Sequence, residues 1–219
     1  MDSLALANVQ LNLQKAYKNF FTSGFGFPKF KKKSHSQSYK TNNQKDNIAL
    51  DGRFIKLPKV GWVRVKAHRQ IEGVIKSATI SMTPTGKYYV SILCETETTP
   101  LPKTDSSVGI DLGISDFAIL STGEKIGNER FLKQLSEKLA EEQKILSRRA
   151  LAAKKAGRNL SESKNYQKQR VKVAKIHEKI VNMRRDFLHK LSIYLVKNHD
   201  ILCIEDLSSK NLMKNHKLA

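Results

Sequence analysis

The sequence predicts two joined parts, a small all-β region followed by an α/β region that a long helical hairpin interrupts. Three observations predict it. Short apolar runs separated by tight turns fill residues 47–97, and a polar stretch with Pro100 and Pro102 follows. From residue 107, strand-like runs lead into two long segments of three- and four-residue apolar spacing, and then to one last strand. The predicted boundaries are 1–46 for a helix and basic loop, 47–97 for the β region, 98–106 for a linker and 107–219 for the α/β region. The hairpin occupies about 128–199.

Residues 4–21 carry Leu4, Leu6, Val9, Leu13, Ala16, Tyr17, Phe20 and Phe21 at the spacing of an amphipathic helix. Gly24 to Pro28 breaks it, and Lys29 to Lys33 form a basic loop with Phe30 interleaved. Asp51-Gly52 lies between two apolar runs and predicts a two-residue hairpin turn. Trp62 to Lys66 alternates. Ile75 to Thr83 and Lys87 to Glu95 read as longer strands joined at Pro84-Thr85-Gly86. Five strands without a helix predict a small barrel or a strongly twisted sheet. Val108 to Gly113 is a strand carrying an acid at its end, Phe117 to Ser121 is the next, and Thr122 to Lys125 turns into a short third. Leu132, Leu135, Leu139, Leu146, Ala150 and Ala153 then line one face of a helix. Gly157-Arg158-Asn159 breaks it, and Ser161 or Ser163 can cap a second helix with Ile176, Ile180, Met183, Phe187, Leu191 and Tyr194 on one stripe. Ile201 to Asp206 is the last strand. This order describes an α/β core with a helical insertion.

Composition narrows the partners. Forty Lys plus Arg oppose twenty Asp plus Glu, a net charge of +20, and the pI is about 10.0. Such an excess opposes folding unless a polyanion neutralises it, and phosphate backbones do so. A hydrophobic content of 39% excludes a disordered chain. No uncharged apolar run approaches the roughly 20 residues of a membrane span, and Met1-Asp2-Ser3-Leu4 lacks a signal peptide's basic start. Cys94 and Cys203 are distant and have no zinc-type pairing, so both are expected as free thiols. A prokaryotic cytosolic or nucleoid-associated protein is the expectation. Between 128 and 199 there are 19 Lys plus Arg against 7 Asp plus Glu, which makes the hairpin's solvent face basic. Candidate phosphate contacts are Lys29, Lys31, Lys32, Lys33, Arg148, Arg149, Lys154, Lys155, Arg184 and Arg185.

Two acids carry the chemistry. Asp111 and Glu205 each end an apolar strand, where ligand sites of α/β sheets form. Alternation puts Gly109 with Asp111, and Cys203 with Glu205, on single faces. If the strands are neighbours the carboxylates converge, and paired carboxylates hold Mg²⁺ beside a phosphodiester. Gly109 and Gly113 fit close backbone approach around the strand end. No P-loop, GxGxxG, Ser-His-Asp or Cys-His signature points to other chemistry.

VGIDLGISDFAIL and, about ninety residues later, ILCIEDLSSKNL resemble the first two RuvC motifs of the TnpB/OrfB family of transposon-encoded proteins. LQKAYKNFF, GFPKFKKK and SYK resemble the stretch before that family's wedge β-barrel, and SATISMTPTGKYYVSILCE its last strands. The resemblance covers essentially all 219 residues. It implies a wedge-type β-barrel followed by an incomplete RuvC/RNase H-like α/β domain. It further implies an RNA-guided, Mg²⁺-dependent DNA endonuclease of a kind also called a transposase, with a guide RNA and a DNA target as partners. Asp111 would bridge two ions and Glu205 would ligate one, while Asp206 and Asp116 would be structural. The family's third acid and its zinc ribbon of two CxxC pairs find no counterpart in these residues. The expectation is therefore an incomplete two-ion site, no zinc, and no cutting by this chain alone. A nuclease-dead RNA- or DNA-binding protein that regulates transposition or transcription is the alternative, and a basic structural protein unrelated to mobile elements the third reading. Oligomeric state is open.

Overall fold

The computed structural model of the protein describes residues 2–30 and 37–205, in two units, Met1–Thr99 and Pro100–Ala219. In the first unit, helix α1 spans Ser3–Ser23. Asp2 caps it by accepting the Leu4 N–H at 3.0 Å, and Gly24 ends it in the left-handed region at φ 66°. The apolar stripe that makes the helix is largely uncovered. Asn8 is its buried residue, donating to the Leu4 carbonyl at 2.8 Å, and Tyr17 and Phe20 meet Phe27 edge-on.

Six strands follow: β1 Gln37–Asn42, β2 Ala49–Asp51, β3 Phe54–Leu57, β4 Gly61–Arg64, β5 Val74–Met82 and β6 Tyr88–Glu95. They form two three-stranded antiparallel sheets, in the orders β1-β5-β6 and β2-β3-β4. The turn expected at Asp51-Gly52 sits one residue later. Asp51 pairs with Phe54, so Gly52 and Arg53 make the turn. Gly52 has φ 53°, and a positive φ at the first central position is what a type II′ hairpin requires. Strand β1 is polar and was not expected, since QSYKTN has no apolar alternation. It exists because all six of its residues pair with β5, an effect of tertiary context on strand formation.

The closed barrel expected from the resemblance is absent from the described residues. A barrel needs an unbroken circuit of ladders, whereas no ladder joins these two sheets. They are held by a shared core of Ile48, Ile55, Leu57 and Ala78. Asn43 adds a polar bridge, donating to the Ile75 carbonyl at 2.9 Å and accepting the Ile48 N–H at 3.0 Å. Residues 65–73, between β4 and β5, form no strand.

The second unit holds β7 Ser107–Leu112, β8 Asp116–Leu120, β9 Lys125–Gly127, α2 Phe131–Lys155, α3 Lys164–Asn198 and β10 Ile201–Ile204. The sheet order is β10-β7-β8-β9, with β10 parallel to β7 and the other pairs antiparallel. Val108, Ile110, Ala118 and Leu120 bury one face of this sheet against Leu191 and Leu195 of α3. Phe187 of α3 meets Phe117 and Phe131 at centroid distances of 5.1 and 5.8 Å, both edge-on, a favourable aromatic geometry. The hairpin has its own core of Leu139, Val173, Ile176 and Ile180. Ser163 occupies the N-cap position of α3, but its side chain makes no capping bond.

One buried contact in the hairpin was not legible from spacing. Gln169 is 1% exposed, and its amide donates both to the Glu142 carbonyl at 2.9 Å and to the Glu142 carboxylate. A buried amide needs such partners, and this one fixes the register of α2 against α3.

Candidate functional site

Asp111 is the penultimate residue of β7, and Glu205 directly follows β10. The register pairs Cys203 with Gly109 and Ile204 with Ile110. Continuing one step places Glu205 beside Asp111, on strands about 4.8 Å apart. Both carboxylates are exposed, and both line one open depression of about 540 Å³ together with Gly109, Ser121 and Cys203.

The opposite, apolar face of the sheet explains this orientation. Val108 and Ile110 are buried against α3, so strand alternation turns Gly109 and Asp111 outward. Gly109 donates its N–H to Ser121 Oγ at 3.0 Å. The two glycines then differ. A Cβ at Gly113 would lie 2.9 Å from the Asp116 carbonyl oxygen, so the β7–β8 turn demands glycine there. A Cβ at Gly109 would meet Ser121 at an ordinary 3.5 Å, and the close approach expected there is not enforced.

What brings β10 to β7 is a clamp that motif reading missed. The Asp200 carboxylate accepts the Asp105 N–H at 2.7 Å and the Thr104 N–H at 3.0 Å. The Asp200 N–H donates to the Ser106 carbonyl at 2.9 Å, and Ser106 Oγ lies 2.7 Å from His199 Nδ1. Asp105 sits in the left-handed region at φ 52°. In the sequence Asn198-His199-Asp200 marks only a helix stop, since nothing local shows that Asp200 reaches back to Thr104 and Asp105. Tyr194 of α3 donates its hydroxyl to Glu124 in the β8–β9 turn at 2.7 Å, and this bond raises the Tyr194 pKa above its ordinary value.

The donor set fits a hard cation in part. Two exposed carboxylates on adjacent strands are oxygen ligands of the kind Mg²⁺ takes, and Mg²⁺ commonly uses only one or two carboxylates with waters and phosphate oxygens. Among the described residues no group of three or more His, Cys, Asp or Glu is placed to hold a metal. Asp116 opens β8, half-buried, whereas Asp206 lies outside the described residues.

The basic candidates of the second unit fall on separate stretches of the hairpin. Lys29, Arg148, Lys154, Lys155, Arg184 and Arg185 are exposed, and Lys31, Lys32 and Lys33 lie outside the described residues. Arg149 is half-buried and donates to the Asn165 carbonyl at 2.7 Å, which ties the two helices together. Arg148, Arg149, Lys154 and Lys155 therefore cluster toward the hairpin's far end. Arg184 lies 19 residues along α3 from Asn165, about 30 Å at 1.5 Å per residue. The two clusters are spaced like phosphates about nine nucleotide steps apart on a duplex. Among the described residues, no helix is long and apolar enough to cross a membrane.

Residues 91–216 match the OrfB_IS605 family, described as "Probable transposase". The chain is 37% identical over 205 residues to "Putative RNA-guided DNA endonuclease InsQ" of Escherichia coli (strain K12), covering 93% of this chain and 48% of that protein. It is 35% identical over 221 residues to "Putative RNA-guided DNA endonuclease" of Streptomyces pristinaespiralis, covering 100% of this chain and 52% of that protein. The chain thus spans about half the length of the curated relatives it matches.

Proposed function

Since the chain belongs to the OrfB_IS605 family of transposon proteins, we propose that it supplies the nucleic-acid grip and part of the catalytic centre of an RNA-guided DNA endonuclease. The observation that carries this reading is the parallel pairing of β10 with β7, which sets Glu205 beside Asp111 on the open face of the sheet. Asp111 and Glu205 would hold Mg²⁺ at that face. The ion, when bound, neutralises charge on the phosphodiester and activates water for hydrolysis. As the family resemblance implies, Asp111 would be the carboxylate shared between two ions, and Glu205 would ligate one of them.

The chain's own residues do the rest. Ser121 is tied to Gly109 by two hydrogen bonds, which anchors β7 close to Asp111. The Asp200 clamp fixes the height of β10 and so of Glu205. Lys154, Lys155 and Arg148 at one end of the hairpin, and Arg184 and Arg185 at the other, contact phosphates along a guide RNA and its DNA target. Such contacts position a strand without reading it, and base pairing reads the sequence. Residues 1–46, 47–97 and 107–219 act as an end of the recognition region, a wedge domain and a partial nuclease domain, joined through residues 98–106.

The test is Mg²⁺ binding by the purified chain, followed by calorimetry beside Asp111→Ala and Glu205→Ala, because part of a catalytic centre is not expected to cut DNA alone. Binding lost in either substitution supports the reading, and binding unchanged in both contradicts it. The exposed basic hairpin also favours a second reading, regulation by occupancy alone. In that case RNA binding is tight, steeply salt-dependent and indifferent to Asp111→Ala.

A further inference from the structure

Beside the two small sheets, the first unit holds a cleft with a cavity volume of about 850 Å³. That lies within the roughly 300–1,000 Å³ typical of sites for small organic ligands. One wall is the irregular segment 65–72, and the other is β6. Strand β6 pairs only with β5 among the described residues, so its second edge offers main-chain donors and acceptors toward the cleft.

The lining has two characters. Val65, Ile71, Val90 and Ile92 are half-buried and apolar, a surface for the faces of a flat ring. Lys66, His68 and Arg69 stand exposed on the lip, opposed there by the single acid Glu72. Gln70 and Thr96 add side-chain hydrogen-bonding groups. An apolar slot with a polar edge and a cationic lip matches a heterocyclic base joined to a phosphate. An arginine guanidinium can also stack on such a base.

We propose that this cleft binds one unstacked nucleotide of a single-stranded nucleic acid, its base between Ile71 and Ile92 and its phosphate at Lys66 and Arg69. A base inside a duplex cannot enter, so the cleft selects single strands over duplex. The proposal rests on the nucleic-acid-binding reading above, at a place distant in sequence from the carboxylate pair. RNA and single-stranded DNA offer the same chemistry, and the experiment separates them.

Cys94 lines the cleft and makes it testable. The chain has only one other cysteine, Cys203, so Cys203→Ser leaves Cys94 as the sole thiol. The full chain with that substitution is alkylated with iodoacetamide, alone and with a saturating 12-nucleotide RNA, the same sequence as DNA, or duplex DNA. We expect Cys94 to react at least tenfold more slowly with one of the single strands and at an unchanged rate with duplex. Whichever strand protects identifies the source. Lys66→Ala with Arg69→Ala, both exposed positions, is expected to abolish protection and weaken single-strand binding about tenfold, with the circular dichroism spectrum unchanged. A strand carrying 4-thiouridine, or 4-thiothymidine for DNA, should crosslink within 65–72 or 90–96, a readout independent of thiol reactivity. Saturating binding with Cys94 unprotected and no crosslink there overturns the cleft but leaves the nucleic-acid reading intact. Equal protection by duplex, or protection surviving the double substitution, also overturns it. Failure of any nucleic acid to bind overturns both.

Discussion

Replacing Asp200 with Ala should loosen the strand that delivers Glu205 to the site. The Asp200 carboxylate accepts two main-chain N–H groups, from Asp105 at 2.7 Å and Thr104 at 3.0 Å. A hydrogen bond to a charged group is worth roughly 1.5–3 kcal/mol when shielded, but these lie in solvent, so about 1 kcal/mol each is the appropriate figure. The loss is partly offset because Asp105, at φ 52°, can relax from the left-handed region and recover about 1 kcal/mol. The net is about 1 kcal/mol, close to a fivefold change in local opening. Hydrogen exchange should therefore show about fivefold faster exchange at Ile201 and Cys203, whose N–H groups face β7, with the β7–β8 pairing unaffected. Asp200→Asn, which keeps one acceptor oxygen, should fall between. Unchanged exchange in Asp200→Ala would refute the clamp. Loss of protection throughout the sheet would refute its local character.

The hairpin should be sensitive to Gln169. Gln169→Ala removes two buried hydrogen bonds and opens a cavity, for about 3 kcal/mol. Gln169→Leu fills the space and frees Glu142 to turn to water, for about half that, and equal midpoints in urea would contradict the role of the amide. Tyr194 is held protonated first by its bond to Glu124, so its ionisation should lie above the ordinary value of 10.0. Because the folded value is raised, this contribution is complete below the unfolded pKa and is lost as pH rises through the folded one. Absorbance at 295 nm should show late-titrating phenols from Tyr194 and from Tyr39, which burial raises; Tyr194→Phe removes the first and Glu124→Gln moves it downward, while the Tyr39 phase stays. Lys154→Ala with Lys155→Ala should lower the slope of log affinity against log salt by about 1.5–2 for duplex or single-strand nucleic acid. An unchanged slope would remove the hairpin's far end from the interface.

Spacing reveals elements better than it reveals their assembly. The apolar stripes of α2 and α3 were legible because Leu139, Ile176 and Ile180 must find a partner, and each helix supplies the other's. Strands β6 to β8 were legible for the same reason, since Val90 and Ile92, Val108 and Ile110, and Ala118 and Leu120 turn inward at period two. Strand β1 was not, because QSYKTN is held by main-chain pairing to β5, which no side-chain pattern records. Barrel closure failed as an expectation because it depends on ladders between distant segments, and residues 65–73 form none.

The site divides in the same way. A strand-terminal acid can be read from local sequence, but the adjacency of β7 and β10 depends on a contact across about ninety residues. The clamp that sets it joins Asp200 to Thr104 and Asp105, through groups that look like ordinary turn residues. Gln169 was hidden because a polar residue inside a helical stripe reads as solvent-facing until its partner on the other helix is known.

The account stands on Asp111 and Glu205 sharing a cation. The most direct measurement is a Mn²⁺ titration of the isotopically labelled chain, followed by paramagnetic broadening of its amide resonances. The account predicts selective broadening at Gly109, Asp111 and Cys203 at low Mn²⁺, competed by Mg²⁺ and lost in both Asp111→Asn and Glu205→Gln. Broadening that persists in both variants, or that centres on another part of the chain, would contradict it.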